Sequence, residues 1–351
     1  MTTDIRAARA LLDKLPRARL GFFPTPLYRL DRLSDQLGVE LYIKRDDFTG
    51  MNLFGGNKIR KLEYLLGAAA GEGAEYAVTY GATQSNHAME TAAACRRLGM
   101  TPILYLTAVV RPDEAGLRAN LLLDRVLGAE THIVPIGPGE TEAQAEERSF
   151  RMGAARAAEL NAAGHRCANI PMGGANPLGS VGFAAGMVEM AEQAQAMGVR
   201  FSRVYHATGT GGTMAGLHAG RSLLGMDTEI VSVAVSPKEK DAYLDKVCGL
   251  SANALALIES ERKPDRAAMR LDLTQWQPGY EQPSEAASEA IRTLAQTEGL
   301  FVDPVYTGKA LAALLADARE GRMPEGPVLF WHTGGATALF AEPEILGDLC
   351  R

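Results

Sequence analysis

The chain of 351 residues has little cysteine, little tryptophan and no long apolar run. Its four cysteines, Cys95, Cys167, Cys248 and Cys350, form no C-x-x-C pair, and no histidine is spaced to complete a zinc site with them. A disulfide framework and a bound metal are therefore not expected; free thiols in a cytoplasmic protein are. No apolar stretch approaches the roughly 20 residues that a membrane span requires. The segment from Met1 to Pro24 breaks its apolar residues with Asp4, Arg6, Asp13 and Lys14, unlike a signal peptide. An excess of positive charge is also missing. The formal net charge of −6 argues against nucleic acid or an anionic membrane as a main partner.

What is present is the composition of a globular protein able to bury a large core, with 46% hydrophobic and 22% charged residues. The length leaves room for about two domains. Internal repeats, low-complexity tracts and heptads are not seen. The stretch Phe54-Gly55-Gly56-Asn57-Lys58-Ile59-Arg60-Lys61-Leu62-Glu63-Tyr64 anchors the reading. Two glycines and an asparagine make a sharp approach, and Ile59, Leu62, Leu65 and Leu66 then repeat on one helical face. Lys58 thus stands at a loop-to-helix junction, where partial positive charge depresses an amine's pKa. A lysine placed there suits attack on a carbonyl, which needs a neutral amine. The plainer alternative is that Lys58, Arg60 and Lys61 are solvated cations.

Strands are predicted at Leu41–Arg45, Ala77–Tyr80, Ile103–Leu106, Thr131–Ile136, Val204–Ala207, Ile230–Val235, Phe301–Val302 and Val328–Trp331, with helices between them. The alternation favours parallel β-α-β units. Glu140–Glu147 reads as a solvated helix face, and the Gly/Pro-rich passage Pro171–Pro177 as a hinge or crossover.

Two loops carry chemistry. Thr208-Gly209-Thr210-Gly211-Gly212-Thr213 follows a strand and precedes an amphipathic helix, so its N–H groups can converge on a phosphate. It lacks the Gly-Lys-Ser/Thr ending of a nucleotide P-loop, and a simple Gly-rich turn remains the alternative. Gln84-Ser85-Asn86-His87 lies at the carboxyl end of its strand, where open α/β sheets bind ligands. It suits a carboxylate, or an N-cap, or both at once.

A lysine, a phosphate cradle and a carboxylate cradle in one α/β chain resemble the pyridoxal-phosphate enzymes of the tryptophan-synthase β fold. The resemblance is to the group containing 1-aminocyclopropane-1-carboxylate deaminase and D-cysteine desulfhydrase. It runs over nearly the whole chain and is carried, in order, by Phe23-Pro24-Thr25-Pro26-Leu27, Ile43-Lys44-Arg45-Asp46-Asp47, Gly55-Gly56-Asn57-Lys58, Gln84-Ser85-Asn86-His87, Asp303-Pro304-Val305-Tyr306-Thr307-Gly308-Lys309 and His332-Thr333-Gly334-Gly335.

This resemblance implies a fold type II α/β protein with two open, twisted, mostly parallel sheets and helices on both faces. It implies a large domain from residues 1–58 and 169–351, a small inserted domain from 59–168, and a homodimer. Lys58 would carry pyridoxal 5'-phosphate as an internal aldimine and act as base at the substrate α-carbon. Asn86 would bond the cofactor's phenolic oxygen. Thr208 and the 209–213 loop, helped by Lys61, would take the phosphate. Ser85, with its neighbours Gln84, Asn86 and His87, would hold the carboxylate of a small amino acid. Tyr280 and Tyr306 match the family's two active-site tyrosines and would move protons, although a lone tyrosine is more often a core ring.

Where the deaminases carry Glu and Leu, this chain has Thr307 and Thr333, as the desulfhydrases do. A hydroxyl near the pyridine nitrogen leaves the ring nearer neutral, enough to eliminate a good leaving group such as thiolate. The expected reaction is α,β-elimination, with D-cysteine the leading substrate. Another β-substituted alanine such as L-cysteate comes next, then the cyclopropane substrate. Outside this class, a phosphate-metabolite binding protein without catalysis would fit the cradle but not the lysine. The chain departs from the family at Ala88-Met89-Glu90, where Arg-Gln usually follows, at Glu281-Gln282, where glycine is usual, and at Met51-Asn52-Leu53.

Overall fold

The computed structural model describes residues 4–52, 54–113 and 115–350; the start of the N-terminal arm and Leu53 of the unusual lead-in lie outside them. The described residues contain the strands β1 (Leu27–Arg29), β2 (Leu41–Arg45), β3 (Tyr76–Ala82), β4 (Thr101–Ala108), β5 (Glu130–Pro135), β6 (Cys167–Asn169), β7 (Arg203–Thr208), β8 (Glu229–Ala234), β9 (Met269–Asp272) and β10 (Val328–His332). The helices are α1 (Ile5–Leu12), α2 (Asp31–Leu37), α3 (Lys58–Gly71), α4 (Asn86–Arg97), α5 (Ala119–Val126), α6 (Glu142–Ala162), α7 (Pro177–Met197), α8 (Gly212–Leu224), α9 (Lys240–Leu257), α10 (Glu285–Glu298), α11 (Thr307–Arg319) and α12 (Pro343–Leu346). No helix among the described residues is long and apolar enough to cross a membrane.

The strands form a six-stranded sheet in the order β1-β2-β10-β7-β8-β9 and a four-stranded sheet in the order β5-β4-β3-β6. Every pairing is parallel except that of β1 with β2. The expected α/β architecture with two mostly parallel sheets is therefore present, and the smaller sheet draws its strands from residues 76–169.

Strand alternation explains how the large sheet is covered. Leu41, Ile43, Tyr205, Val231 and Phe330 pack toward Ile291, Leu294, Leu311 and Leu314 of α10 and α11. Their neighbours Tyr42, Val204, Ile230, Leu329 and Trp331 pack toward Phe183, Met187 and Leu217 of α7 and α8. The small sheet is covered in the same way, by α6 on one face and by α4 and α5 on the other.

Phe301–Val302 is not a strand. Val302 is buried but Phe301 is exposed, and the Phe301 carbonyl pairs with the His332 ring instead of a ladder partner. Three short strands, β1, β6 and β9, carry too few residues for a period-two pattern to show. The Pro171–Pro177 passage forms a 3₁₀ turn and then the start of α7, where Asn176 caps the helix by accepting from the Gly179 amide at 2.7 Å.

Arg60 and Lys61 are buried, not solvated. The Arg60 guanidinium donates to both oxygens of Asp46, each at 2.7 Å, and to both oxygens of Glu189, each at 3.0 Å. Lys44 of β2 donates to Glu189 and to the Thr25 carbonyl, and Trp331 of β10 donates to Asp46 at 2.8 Å. Helix α3 is thereby fastened to β2, α7 and β10 through one charged cluster. Burial opposes its charge, but the paired cations hold the Glu189 carboxyl down at about 2.

Removing one member of such a cluster strands the others without partners. Arg60→Ala is expected to lower the unfolding free energy by about 3–5 kcal/mol, seen as a lower urea midpoint at unchanged m. Because the Glu189 pKa is depressed on folding, its contribution is present above its ordinary value of 4.5 and lost as pH falls toward about 2. Glu189→Gln should flatten acid unfolding in that window.

Candidate active site

Lys58 opens α3, and the loop before it is pinned to the large sheet's last strand. Gly56 bridges Gly334, and the Asn57 amide donates to the Thr333 carbonyl at 3.0 Å. The Asn57 side chain has two partners. Its Oδ1 accepts from Lys58 Nζ at 2.7 Å, and its Nδ2 donates to Thr213 Oγ1 at 3.1 Å. The lysine is thus tied to the first turn of α8. Burial lowers the Lys58 pKa, while Glu90 and Asp303 pull it back up. Both are effects that sequence position alone cannot supply.

Lys58 borders a cavity of about 510 Å³, within the usual range for small-molecule sites. Thr208, Gly209, Thr210, Gly211 and Thr213 form one end of its wall. Gly211 is left-handed at φ +96, and no described side chain caps α8, so the helix's first N–H groups are available to an anion. Tyr243 ties this loop down: its hydroxyl bonds Thr208 Oγ1 at 2.8 Å and donates to the Gly209 carbonyl at 3.0 Å. Lys61 Nζ, donating to the Gly173 carbonyl at 2.9 Å, lies beside this end, and burial with Lys58 nearby depresses its pKa strongly.

Ser85 caps α4 by accepting from the Ala88 amide at 3.2 Å, and it also lines the cavity. Asn86 accepts twice at Oδ1, from Asn120 Nδ2 at 2.8 Å and from Thr337 at 3.0 Å. Its Nδ2 is thereby left to serve as donor. His87 reaches the cavity, but its Nε2 is bonded to Thr79, and burial keeps the ring neutral. Tyr280 and Tyr306 share a hydroxyl–hydroxyl hydrogen bond on the wall, with the Tyr306 ring centroid 5.9 Å from Lys58 Nζ. Burial raises both phenol pKa values.

Three expected site residues do not border the cavity. Gln84 accepts from the Asn120 amide at 2.9 Å and donates to Glu342 at 3.1 Å, so its side chain braces the loop instead of meeting a ligand. Thr307 is fully buried and donates its hydroxyl to Asp303 at 2.6 Å. Gly212 lies just behind the lining. Thr333 does border the cavity. Glu142, exposed, and Glu146, half-buried, lie on the helix face read as solvated and also line the cavity, where partial desolvation raises both of their pKa values. Sequence reasoning missed Asn120, Tyr243 and Thr337, whose partners are distant in sequence, and gave no role to Asp303, which caps α11. Asn57 stood inside a quoted motif, but without a role.

Residues 18–334 match the family described as pyridoxal-phosphate dependent enzyme. The chain belongs to that family. It is 40% identical to a D-cysteine desulfhydrase of Serratia proteamaculans over 335 residues, covering 94% of this chain and 97% of that one. It is 38% identical to a putative 1-aminocyclopropane-1-carboxylate deaminase of Pyrococcus furiosus, with 95% of each chain covered. A solved structure described as an ACC deaminase homologue superposes with a TM-score of 0.85 at 36% identity, covering 99% of this chain and 98% of that one. The protein is a pyridoxal-phosphate-dependent lyase of the ACC deaminase and D-cysteine desulfhydrase family, and its cofactor is pyridoxal phosphate.

The cavity of this family member fits the cofactor on its own geometry. A Cβ on Gly212 would fall 2.9 Å from Ala175 Cα and 3.1 Å from Lys61 Nζ, so only glycine leaves that approach open. The uncapped start of α8, the Nδ2 of Asn86 and the amine of Lys58 could supply donors for phosphate and phenolate and a nucleophile for the aldehyde. Gly212→Ala is expected to weaken pyridoxal phosphate binding about tenfold or more, roughly 1.4 kcal/mol, in a fluorescence titration of apoprotein with an unchanged circular dichroism spectrum.

Proposed function

We propose that the chain is a carbon–sulfur lyase that converts D-cysteine to pyruvate, ammonia and hydrogen sulfide by α,β-elimination. The observation that carries this reading is Thr333, which borders the cavity at a position where the deaminases carry Leu. Thr307 stands where they carry Glu, but its hydroxyl is given to Asp303 away from the cavity and lends this reading no support. The 40% identity to a desulfhydrase is consistent with it.

Bound pyridoxal phosphate supplies the electron sink for a carbanion at the substrate α-carbon. The rest is the work of side chains. Lys58 would hold the aldehyde carbon until the substrate's amino group displaces it, and the freed amine, whose pKa burial lowers, would then take the α-proton. Ser85 and the first turn of α4 hold the substrate carboxylate against a helix N-terminus. Asn57 fixes the direction from which Lys58 works. The Tyr280–Tyr306 pair, whose raised pKa values keep both phenols protonated, delivers a proton to the departing sulfur. The Cα–H and Cβ–S bonds break, and the aminoacrylate released hydrolyses to pyruvate and ammonia.

A second reading, deamination of the cyclopropane amino acid, is favoured by the name of the Pyrococcus relative. Product analysis separates the readings. Pyruvate and sulfide from D-cysteine are expected, whereas sulfite from L-cysteate or 2-oxobutyrate from the cyclopropane substrate as the faster reaction would displace the proposal. Lys58→Ala should fold normally yet lose at least about a thousandfold in turnover. Borohydride should fix the cofactor to Lys58 in the wild type; pyruvate release by the variant at wild-type rates would refute the role of this lysine.

A further inference from the structure

Lys309 stands in the first turn of α11, in a motif to which the chemistry above gives no lysine role, and its side chain is fully buried. Among the described residues no carboxylate accepts from it. Its Nζ donates instead to two main-chain carbonyls, that of Gly279 at 2.7 Å and that of Trp276 at 3.2 Å. Both belong to the irregular segment between β9 and α10, and Gly279 immediately precedes Tyr280. That segment does little to hold itself. Among the described residues, no backbone–backbone hydrogen bond ties residues 275–283 to one another or to another element. Glu281 is left-handed at φ +55, a conformation uncommon in residues with a Cβ. Tyr306, three residues before Lys309, is the N-cap of the same helix. Its hydroxyl bonds that of Tyr280, and the two rings meet edge to face with centroids 5.8 Å apart. One turn of α11 thus holds both phenols, Tyr306 through the main chain and Tyr280 through the lysine.

We propose that Lys309 is a positioning residue that sets the Tyr280 hydroxyl against Tyr306 by clamping the Trp276 and Gly279 carbonyls to the first turn of α11. The inference rests on the reading of the tyrosine pair as the proton donor to the departing sulfur. An ammonium suits the task, because its three donors radiate from one point and can serve two carbonyls of a curved segment at once. A buried carbonyl left without a donor is costly, so the segment gains by following the lysine. Burial lowers the Lys309 pKa to about 8 against the pull of Asp303, so the ammonium prevails at neutral pH. The rings also pack against Val305, Ala338, Ala341 and Ile345. Apolar contact is non-directional, however, and does not set the bearing of a hydroxyl. The two bonds from Lys309 do.

The test follows two events on D-cysteine with the holoenzyme in deuterium oxide: pyruvate formed, and deuterium found at the α-carbon of the D-cysteine recovered. The first needs the tyrosine pair, and the second needs only removal and return of the α-proton. Lys309→Met keeps the length of the side chain and removes its donors. It should lower pyruvate turnover about tenfold to a hundredfold, the scale of an ångström's misplacement, with KM unchanged. The ratio of α-exchange to pyruvate should rise by the same factor, because α-protons continue to be removed while fewer sulfurs leave. Lys309→Gln keeps N–H donors at the position and should fall between the wild type and Lys309→Met in both readings; it carries the test if Lys309→Met does not fold. Exchange and pyruvate falling together at an unchanged ratio would overturn the proposal, because Lys309 would then support the fold and not the pair. So would wild-type turnover in the Lys309 variants beside a slow Tyr280→Phe. A Tyr280→Phe enzyme with wild-type turnover would instead overturn the reading of the tyrosine pair, so the two failures are distinguishable.

Discussion

The arrangement depends on the charged cluster centred on Arg60. One guanidinium joins Asp46 after β2, Glu189 on α7 and, through Asp46, Trp331 on β10. Since Arg60 lies two residues beyond Lys58, the cluster fixes the first turn of α3 in angle and depth relative to the large sheet. Hydrophobic packing could bury this helix in several rotations, whereas a forked donor meeting two carboxylates accepts one. Lys58 inherits that precision.

A second constraint concerns helix beginnings. Helices α3, α4, α8 and α11 all start near the cavity, and each start carries partial positive charge and unpaired N–H groups. They are treated differently. Glu90 covers the start of α3 and Asp303 that of α11, both with carboxylates. The start of α4 has only the Ser85 hydroxyl, and that of α8 has no described side chain. The first two ends are neutralised within the wall, and the last two keep their attraction for anions. The proposed placement of a phosphate at α8 and a substrate carboxylate at α4 agrees with this division.

Local pattern made part of this legible in the sequence. Lys58 could be placed at a helix start because Gly55, Gly56 and Asn57 precede an apolar repeat, and the 208–213 loop because glycines follow a β-prone run. What escaped was pairing at a distance. Asp46 and Trp331 are far apart in the chain, as are Gln84 and Glu342, and nothing in either segment names its partner. Gln84 was misread for that reason: it sits in a ligand-like motif, yet its amide is taken by Glu342 and Asn120. Glu142 and Glu146 do lie on a solvated face, but their place at the cavity was not legible, because a polar helix face looks alike whether it borders open water or a cavity mouth. The short strands β1, β6 and β9 exist because neighbours complete them, not because their own residues insist on it.

The strand order has a temporal consequence. In the large sheet, β10 fills the gap between β2 and β7, so a segment made later on the ribosome separates two made earlier. Until residues 328–332 emerge, β2 has no parallel neighbour, Asp46 lacks Trp331, and the Asn57 amide lacks the Thr333 carbonyl. A nascent chain stalled before that point can carry a finished small sheet while its lysine has no fixed bearing. Competence for chemistry is therefore deferred until β10 has been made.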